Sequence, residues 1–275
     1  GQGIATSLAQ LVVDVFQVPI HQVRVVLGDT DRGNGFGSAG SRSLFTGGSA
    51  MHVGAGEALD QARELAAQDL EVSGSDLVYE AGQFSVKGTD LKRSLAELAA
   101  KQPERRIEVN SKTAAKGPTW PNGCHVCEVE VDPATGVIQV AAYASMNDVG
   151  RVVNPTIVRG QLDGGAVQGL GQALLEAIQY DPDSGQLLTG SLMDYAVPHA
   201  DIAQSMFLTE MDERTPSTNN VLGVKGVGEL GTIGATPAVM NAVADALARN
   251  GCAAAAPGLQ MPLTSERVWR AIQGH

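Results

Sequence analysis

A single carboxylate held between glycines is the residue of this sequence best suited to chemistry. Glu229 follows Gly226-Val227-Gly228 and precedes Leu230-Gly231. Glycines on both sides remove side-chain bulk, so the backbone can approach another molecule closely. A carboxylate presented in this way is a candidate general base. Glu229 is therefore the candidate catalytic residue, and an acid on an ordinary surface loop is the alternative interpretation.

Amide, hydroxyl and guanidinium groups beside other glycines predict a binding site for a polar, anionic ligand. Gly1-Gln2-Gly3 directly precedes a helical pattern, and the N–H groups at a helix N-terminus bind anions. Ser38-Ala39-Gly40-Ser41-Arg42-Ser43 follows a glycine-rich loop, and its side chains can hold a phosphate or another oxygen-rich group. The alternatives are a plain N-terminal cap at the first place and a capped helix start with a surface arginine at the second.

A third candidate stretch is a helix with unusually many glycines and two amides on one face. Gln161 and Gln168 are seven residues apart, and glycines stand at 160, 164, 165, 169 and 171. So many glycines are unfavourable in a helix unless something packs against its backbone. A polar cofactor that bonds the amides is one such partner, and a second helix is the other.

The residues Gly226 to Gly231 also match the GxGxxG pattern of dinucleotide-binding folds. In such folds the glycines open a helix directly within a βαβ unit. Here the helix signal is expected only at Thr236-Pro237, and no βαβ pattern surrounds the motif. The sequence therefore argues against a dinucleotide fold.

The cysteines and histidines do not predict a metal site formed by protein side chains. Cys124 and Cys127 form a CxxC pattern, but they lie in an alternating run that predicts a strand, where positions three apart face opposite sides. We expect both to be buried structural thiols in a reducing, cytoplasmic setting. The five histidines show no ligand spacing, so no residue is assigned to a metal.

Composition excludes several functional classes. The chain has 275 residues, 43% of them hydrophobic, and a net charge of −11. Such a chain can bury a substantial core, while its acidity argues against binding to nucleic acid. No apolar run approaches the length of a membrane span.

The hydrophobic patterns predict an α+β fold with mixed sheets, packed helices and two lobes, residues 1–115 and 116–275, divided near Lys116-Gly117-Pro118. A β-hairpin is predicted over residues 123–145, with its turn around Asp132-Pro133. The other predicted strands are 23–27, 77–79, 83–86, 107–109, 187–192 and 206–210. The first predicted helix begins at Ile4 and ends before Pro19. The other predicted helices span 49–70, 91–100, 155–177, 237–248 and 265–272.

Taken together, five segments in this order resemble the C-terminal part of the large, molybdenum-cofactor-binding subunit of the xanthine dehydrogenase / aldehyde oxidase / carbon monoxide dehydrogenase family. The resemblance extends over essentially the whole chain. No single segment is specific for this family, and the resemblance depends on the presence of all five segments in the same order. The segments are Gly1-Gln2-Gly3, Gly40-Ser41-Arg42-Ser43, Asn147-Asp148-Val149-Gly150 with Asn154-Pro155, Gly160-Gln161 through Gly169-Leu170-Gly171, and Gly226-Val227-Gly228-Glu229.

The resemblance implies a molybdenum hydroxylase that oxidises an aldehyde or N-heterocycle, or carbon monoxide, with water as the oxygen source. Glu229 matches the family's catalytic base, which must be ionised in dry surroundings. Gln2 and Gln161 match amides that bond the cofactor, and Gly40 to Ser43 match a loop at its phosphate end. The implied cofactor is molybdenum–molybdopterin, in bacteria usually the cytosine dinucleotide form, whose dithiolene holds the metal. Iron–sulfur centres and FAD are implied on partner subunits or domains.

Family members also have cofactor-contacting and substrate-choosing segments upstream of the segment that matches Gly1-Gln2-Gly3. We therefore expect this chain to be a fragment of a longer polypeptide that is inactive in isolation. The expectation for the site is that Gln2, Ser41, Gln161 and Glu229 line one cavity. A non-catalytic cofactor carrier or assembly module is the alternative function.

Overall fold

The computed structural model describes residues 1–32, 35, 37–112, 115–203 and 207–274, and the chain divides into two compact units. Unit 1 comprises Gly1–Thr119 and Ser217–Lys225, and unit 2 comprises Trp120–Pro216 and Gly226–His275. The prediction of lobes 1–115 and 116–275 did not include the return of residues 217–225 to unit 1. Among the described helices, none combines the length and apolar character needed to cross a membrane.

Unit 1 is built from helices and a small antiparallel sheet. The core lies between α2 and the sheet, where Ala62 and Ala66 pack with the fully buried ring of Phe84. Positive φ angles at Ala81 and Gly82 form the tight turn between the first two strands. The elements are α1 (Ile4–Phe16), α2 (Ser49–Leu70), β1 (Leu77–Glu80), β2 (Gln83–Val86), β3 (Lys92–Ser94) and α3 (Leu95–Ala100), with short helical turns at Ile20–Gln22, Leu44–Gly48, Gly74–Asp76 and Pro103–Arg105.

Two short strands predicted in unit 1 are wrong. Residues 23–27 form no strand, and Val26 and Leu27 are exposed rather than buried. Residues 107–109 also form no strand. Short apolar runs do not reveal whether a pairing partner exists, and the β1–β2–β3 sheet includes neither run. The helix predicted over 91–100 begins at Leu95, because Ser94 and Glu97 form a capping box there.

Unit 2 combines a mixed three-stranded sheet with packed helices. The long hairpin β4–β5 is antiparallel, and β6 adds to β5 in parallel. Helices α4 and α5 cover one face of this sheet, and Val239 and Val243 of α5 are fully buried in the core. The predicted α+β class is therefore confirmed. The elements are β4 (Asn122–Val131), β5 (Ile138–Asp148), α4 (Pro155–Leu174), β6 (Phe207–Asp212), α5 (Leu230–Arg249) and α6 (Ser265–Gln273), with short helical turns at Ala200–Ala203 and Ala253–Gly258.

The start of α4 follows directly from its sequence. The side-chain oxygen of Asn154 accepts a hydrogen bond of 3.0 Å from the backbone N–H of Ile157. Pro155 then occupies the first helical position, where its missing N–H costs nothing. In the segment predicted as a strand over 187–192, only Leu187 pairs, through an isolated bridge with Tyr180. Met206, predicted in the next strand, lies outside the described residues.

Helix α5 begins seven residues earlier than predicted. Its first residue is Leu230, and Pro237 lies inside the helix. A proline there removes one backbone hydrogen bond and is normally unfavourable, which is why Pro237 was taken as the helix start. The late helix signal is therefore not a valid argument against a dinucleotide fold. The structure contains one parallel crossover in this unit, β5–α4–β6, but the glycine motif does not lie inside it, because residues 226–231 follow β6. The arrangement therefore still differs from a dinucleotide fold, in which the glycines connect the first strand of the βαβ unit to its helix.

Candidate functional site

Unit 1 contains a cavity of about 990 Å³ at the N-terminus of α1. Glycines contribute much of its wall, and at Gly1, Gly28, Gly37 and Gly47 an added Cβ would meet no atom within 4 Å. A bulky group can therefore lie directly against the backbone. The described lining residues are Gly1, Gln2, Gly3, Ile4, Ala5, Thr6, Leu8, Leu27, Gly28, Gly35, Gly37, Ser38, Arg42, Ser43, Thr46 and Gly47.

Hydrogen-bonding side chains from two distant parts of unit 1 meet in this cavity. The amide nitrogen of Gln2 donates a hydrogen bond of 2.9 Å to the hydroxyl of Ser38. The hydroxyl of Ser38 in turn contacts the hydroxyl of Ser43. Arg42 lies between these serines in sequence and lines the same cavity. The structure therefore brings Gln2, Arg42 and Ser43 together in this cavity.

The N-terminus of α1 adds backbone donors to the cavity. Gly3 caps the helix with a φ of 77° and no side-chain hydrogen bond. The first backbone bond of the helix runs from the N–H of Ser7 to the carbonyl of Gly3, at 3.0 Å. The preceding N–H groups, of Ile4, Ala5 and Thr6, therefore lack intrahelical acceptors, as at any helix start. This donor set, together with the guanidinium of Arg42, fits a large organic group that carries phosphate and other acceptor oxygens.

Gly40 and Ser41 do not line the cavity. They form the turn before Arg42, with φ angles of 57° and 54°. The left-handed conformation is easy for glycine and unusual for serine. The turn formed by Gly40 and Ser41 directs the backbone so that Arg42 and Ser43 line the cavity, whereas Gly40 and Ser41 do not line it.

Gln161 and Glu229 belong to unit 2 and lie at the same end of the α4–α5 pair. Leu162, the neighbour of Gln161, has its carbonyl oxygen 2.3 Å from where a Cβ on Gly231 would stand. Glu229 is the N-terminal cap residue of α5 and its carbonyl accepts a hydrogen bond of 3.1 Å from the N–H of Ile233. Glu229 is exposed and Gln161 is half-buried. The described residues therefore do not provide the dry surroundings expected for Glu229.

The glycines of α4 divide between two faces of the helix. A Cβ on Gly165 would stand 3.1 Å from the backbone of Gly231, and one on Gly169 would stand 2.7 Å from Ala235. Helix–helix contact is thus the explanation for these two glycines. Gly160 and Gly164 face open space instead, and Gln168 is exposed.

The cysteines are only partly as predicted. Both lie on β4 and are free thiols, but Cys124 is exposed, so the prediction that it is buried is wrong. The error arises because exposure alternates along β4, and Cys124 lies in the exposed row while His125 and Cys127 lie in the partly buried row. Cys127 is half-buried, and burial raises the pKa of its thiol to about 11. A thiol with such a pKa stays protonated and is a poor nucleophile.

The inner face of the same sheet carries a hydrogen-bonded pair of rings. Nδ1 of His125 lies 2.6 Å from the hydroxyl of Tyr143. Burial lowers the pKa of His125, so the neutral ring is favoured, and burial raises the pKa of Tyr143. Neither residue was singled out from the sequence as functional.

The segment Asn147 to Gly150, part of the family resemblance, has a structural role in unit 2. Asn147 is fully buried and its amide nitrogen donates to the hydroxyl of Ser145, at 2.9 Å, and to the carbonyl of Glu210, at 3.3 Å. Asp148 accepts a hydrogen bond of 2.6 Å from the hydroxyl of Thr215. These bonds fix the end of β5 against β6 and the segment after it.

Some residues that line the cavity were not assigned to the cofactor from the sequence. Ser38 belongs to the candidate stretch 38–43 but was not among the residues matched to the family's cofactor loop, although it connects Gln2 with Ser43. Gly28 and Gly37 also line the wall, and only the glycine-rich composition of the loop pointed to them.

A glycine-walled cavity with amide, hydroxyl, guanidinium and helix N-terminal donors defines a domain that binds a large anionic organic cofactor. The chain belongs to the molybdopterin cofactor-binding domain family, whose model matches residues 1–203. The resemblance seen in the sequence is therefore confirmed.

The relatives support the same assignment. The chain is 37% identical to the nicotine 6-hydroxylase large subunit of Paenarthrobacter nicotinovorans, over all of this chain and 34% of the relative. It is 34% identical to the carbon monoxide dehydrogenase large chain of Hydrogenophaga pseudoflava, again over all of this chain and 34% of the relative. The solved quinoline 2-oxidoreductase of Pseudomonas putida 86 matches with a TM-score of 0.81 and 34% identity, over 99% of this chain and 35% of that one. The chain thus spans about a third of the length of these relatives.

Proposed function

We propose that this chain is the cofactor-binding and catalytic-base portion of a molybdenum hydroxylase, which oxidises an aldehyde, an N-heterocycle or carbon monoxide with water as the oxygen source. The cavity at the N-terminus of α1 is the observation that carries the proposal, because its donors suit a phosphate-bearing pterin. Gln2, Arg42 and Ser43 hold the cofactor in unit 1, supported by Gly1 and Gly3. When bound, the cofactor supplies the two-electron redox chemistry of the hydroxylation.

In unit 2, Gln161 provides an amide to the cofactor and Glu229 takes a proton in the reaction. The glycine neighbours of Glu229 leave room for a substrate. Gly40 and Ser41 shape the turn that presents Arg42. The cytosine dinucleotide form of the cofactor is the one we propose, together with partner subunits or domains that carry iron–sulfur centres and FAD. We place the protein in the cytoplasm, in keeping with its free cysteines.

Arg42→Ala tests the assignment of the cavity. In the full-length subunit assembled with its partners, we expect the molybdenum content per subunit to fall at least about tenfold, because a charge-assisted contact to phosphate is worth about 1.5–3 kcal/mol. Metal analysis and chromatography of the released nucleotide measure this loss. Arg24→Ala is the matched control, since Arg24 is an exposed arginine of the same unit outside the cavity. Equal molybdenum contents in the two variants would place the cofactor elsewhere.

The isolated chain of 275 residues should hold little cofactor and show no turnover. The reason is that the chain spans about a third of its relatives, and the family resemblance implies further cofactor contacts outside it. Purified chain, mixed with the released cofactor and analysed for molybdenum, provides the measurement. A stoichiometric molybdenum content, or oxidation of an aldehyde, an N-heterocycle or carbon monoxide by the chain alone, would contradict this prediction.

A further inference from the structure

The imidazole ring of His125 lies directly against α5 at a position that only glycine can occupy. A Cβ atom placed on Gly234 would stand 2.2 Å from Cδ2, 2.4 Å from Nε2 and 2.5 Å from Cγ of His125. Real Cβ atoms essentially never come within 3.0 Å of a heavy atom of a residue that is not their neighbour in the chain. The ring therefore fills the space that a side chain at residue 234 would need, and it sets how closely α5 approaches β4.

The ring of His125 is held in one orientation. Its Nδ1 shares a hydrogen bond of 2.6 Å with the hydroxyl of Tyr143. Tyr143 is itself only 1% exposed and packs against the ring of Phe207, with centroids 5.2 Å apart. The other nitrogen of His125, Nε2, is buried and finds no hydrogen-bond partner among the described residues. Because the ring of His125 is held in one orientation, it limits how closely helix α5 can approach β4.

The first turns of α5 are also fixed from the side of α4. A Cβ on Gly231 would stand 2.3 Å from the carbonyl oxygen of Leu162 and 2.7 Å from the backbone nitrogen of Ala166. The segment 231–234 is therefore in close contact with α4 on one side and with His125 on the other. Glu229 is the cap residue of α5, two positions before Gly231, so a displacement of the segment 231–234 is transmitted through Leu230 to Glu229.

We propose that His125 is a positioning residue, whose ring against Gly234 sets the place of the N-terminal turns of α5 and thereby of the carboxylate of Glu229. The inference rests on the proposed function, in which that carboxylate is the base. A displacement of about 1 Å in a reacting group lowers the rate of an enzyme by up to about 100-fold. His125 thus contributes to turnover without contacting substrate or cofactor.

A set of variants in the assembled holoenzyme tests the proposal. Gly234→Ala should lower kcat by about 10- to 100-fold with little change in KM. Adding His125→Ala to that variant removes the ring that the new methyl group meets, and should restore at least about tenfold of the loss. Gly56→Ala is the control, because Gly56 is a helical glycine of α2 with nothing within 4 Å of an added Cβ. It should keep the wild-type kcat.

Crystal structures of the same variants give a readout that does not depend on activity. In Gly234→Ala, the Cα of Glu229 should move by about 1 Å relative to α4, since a packed interior cannot absorb an added methyl group without a shift. In the double variant it should return. A merely structural role for His125 would lower the melting temperature of the variants and leave both kcat per loaded enzyme and the position of Glu229 unchanged, and this outcome overturns the proposal.

If Gly234→Ala does not fold, two variants of His125 test whether its ring positions Glu229. His125→Phe keeps a ring against Gly234 and should keep kcat within about threefold, whereas His125→Ala should lower kcat about tenfold. Equal kcat values in these two variants would overturn the proposal. Failure of the proposed function has a different signature, because then Glu229→Gln would leave turnover intact, whatever the His125 variants do.

Discussion

Glu229→Gln is expected to lower kcat of the assembled hydroxylase by about 10²- to 10⁴-fold, the range that a positioned general base contributes. Glutamine has nearly the same size and keeps one acceptor oxygen, but its NH2 group donates where the carboxylate accepted and it cannot take up a proton at neutral pH. The molybdenum content and KM should stay within about twofold, because the substitution affects the transition state rather than binding. Steady-state kinetics with metal analysis of the same preparation measure both quantities.

Glu130→Gln is the matched control for this experiment. It changes an exposed glutamate of β4 in the same unit, and we expect it to have no effect on kcat. A Glu229→Gln enzyme that keeps more than about a tenth of the wild-type kcat would remove Glu229 from the role of base, because a positioned base is worth at least about 100-fold.

The same variant separates the hydroxylase from the alternative of a cofactor carrier or assembly module. A carrier needs the unit 1 cavity, with Gln2 and Arg42, but has no use for the carboxylate of Glu229. If Arg42→Ala loses molybdenum while Glu229→Gln changes nothing that can be measured, the carrier becomes the better explanation. If both variants lose function, one by losing cofactor and the other with cofactor retained, the chain carries a catalytic site.

Much of the fold could be predicted from the sequence because local patterns decide it. Helix α2 has the predicted bounds, 49–70, and the β4–β5 hairpin follows from alternation and from the turn at Asp132-Pro133. The helix α4 follows from its cap at Asn154. In these elements the signal lies within a few residues, so no knowledge of distant contacts is needed.

The errors arose where a distant contact decides the structure. The start of α5 at Leu230 could not be seen, because its first turns are held by α4 and β4, which offsets the unfavourable proline at 237. Residues 23–27 were predicted as a strand because they form an apolar run, and nothing in the sequence indicates that no other strand pairs with them. Gln2, Ser38 and Arg42 could be proposed from residue type as groups that hold a polar ligand, whereas the hydrogen bond that joins Gln2 to Ser38 needs the geometry of the folded unit.

The second prediction of large effect concerns the contact between α4 and α5. Gly231→Ala should lower the free energy of unfolding by about 2–3 kcal/mol, the upper part of the range for overpacked interiors. The added Cβ would lie 2.3 Å from the carbonyl oxygen of Leu162 and 2.7 Å from the backbone nitrogen of Ala166. Both atoms belong to helix backbone, so no flexible side chain can give way and the helices must separate.

Gly164→Ala provides a matched comparison on the other face of α4, and the pair of variants tests whether close backbone packing is the cause. At Gly164 nothing lies within 4 Å of an added Cβ, so alanine should stabilise the helix by about 0.5–1 kcal/mol through its better propensity. Calorimetry of the two variants should therefore give melting temperatures that move in opposite directions, down by about 5–10 °C for Gly231→Ala and slightly up for Gly164→Ala. Two shifts of the same sign would mean that glycine at 231 is not required by the contact with α4, and that the N-terminal turns of α5 have room to move.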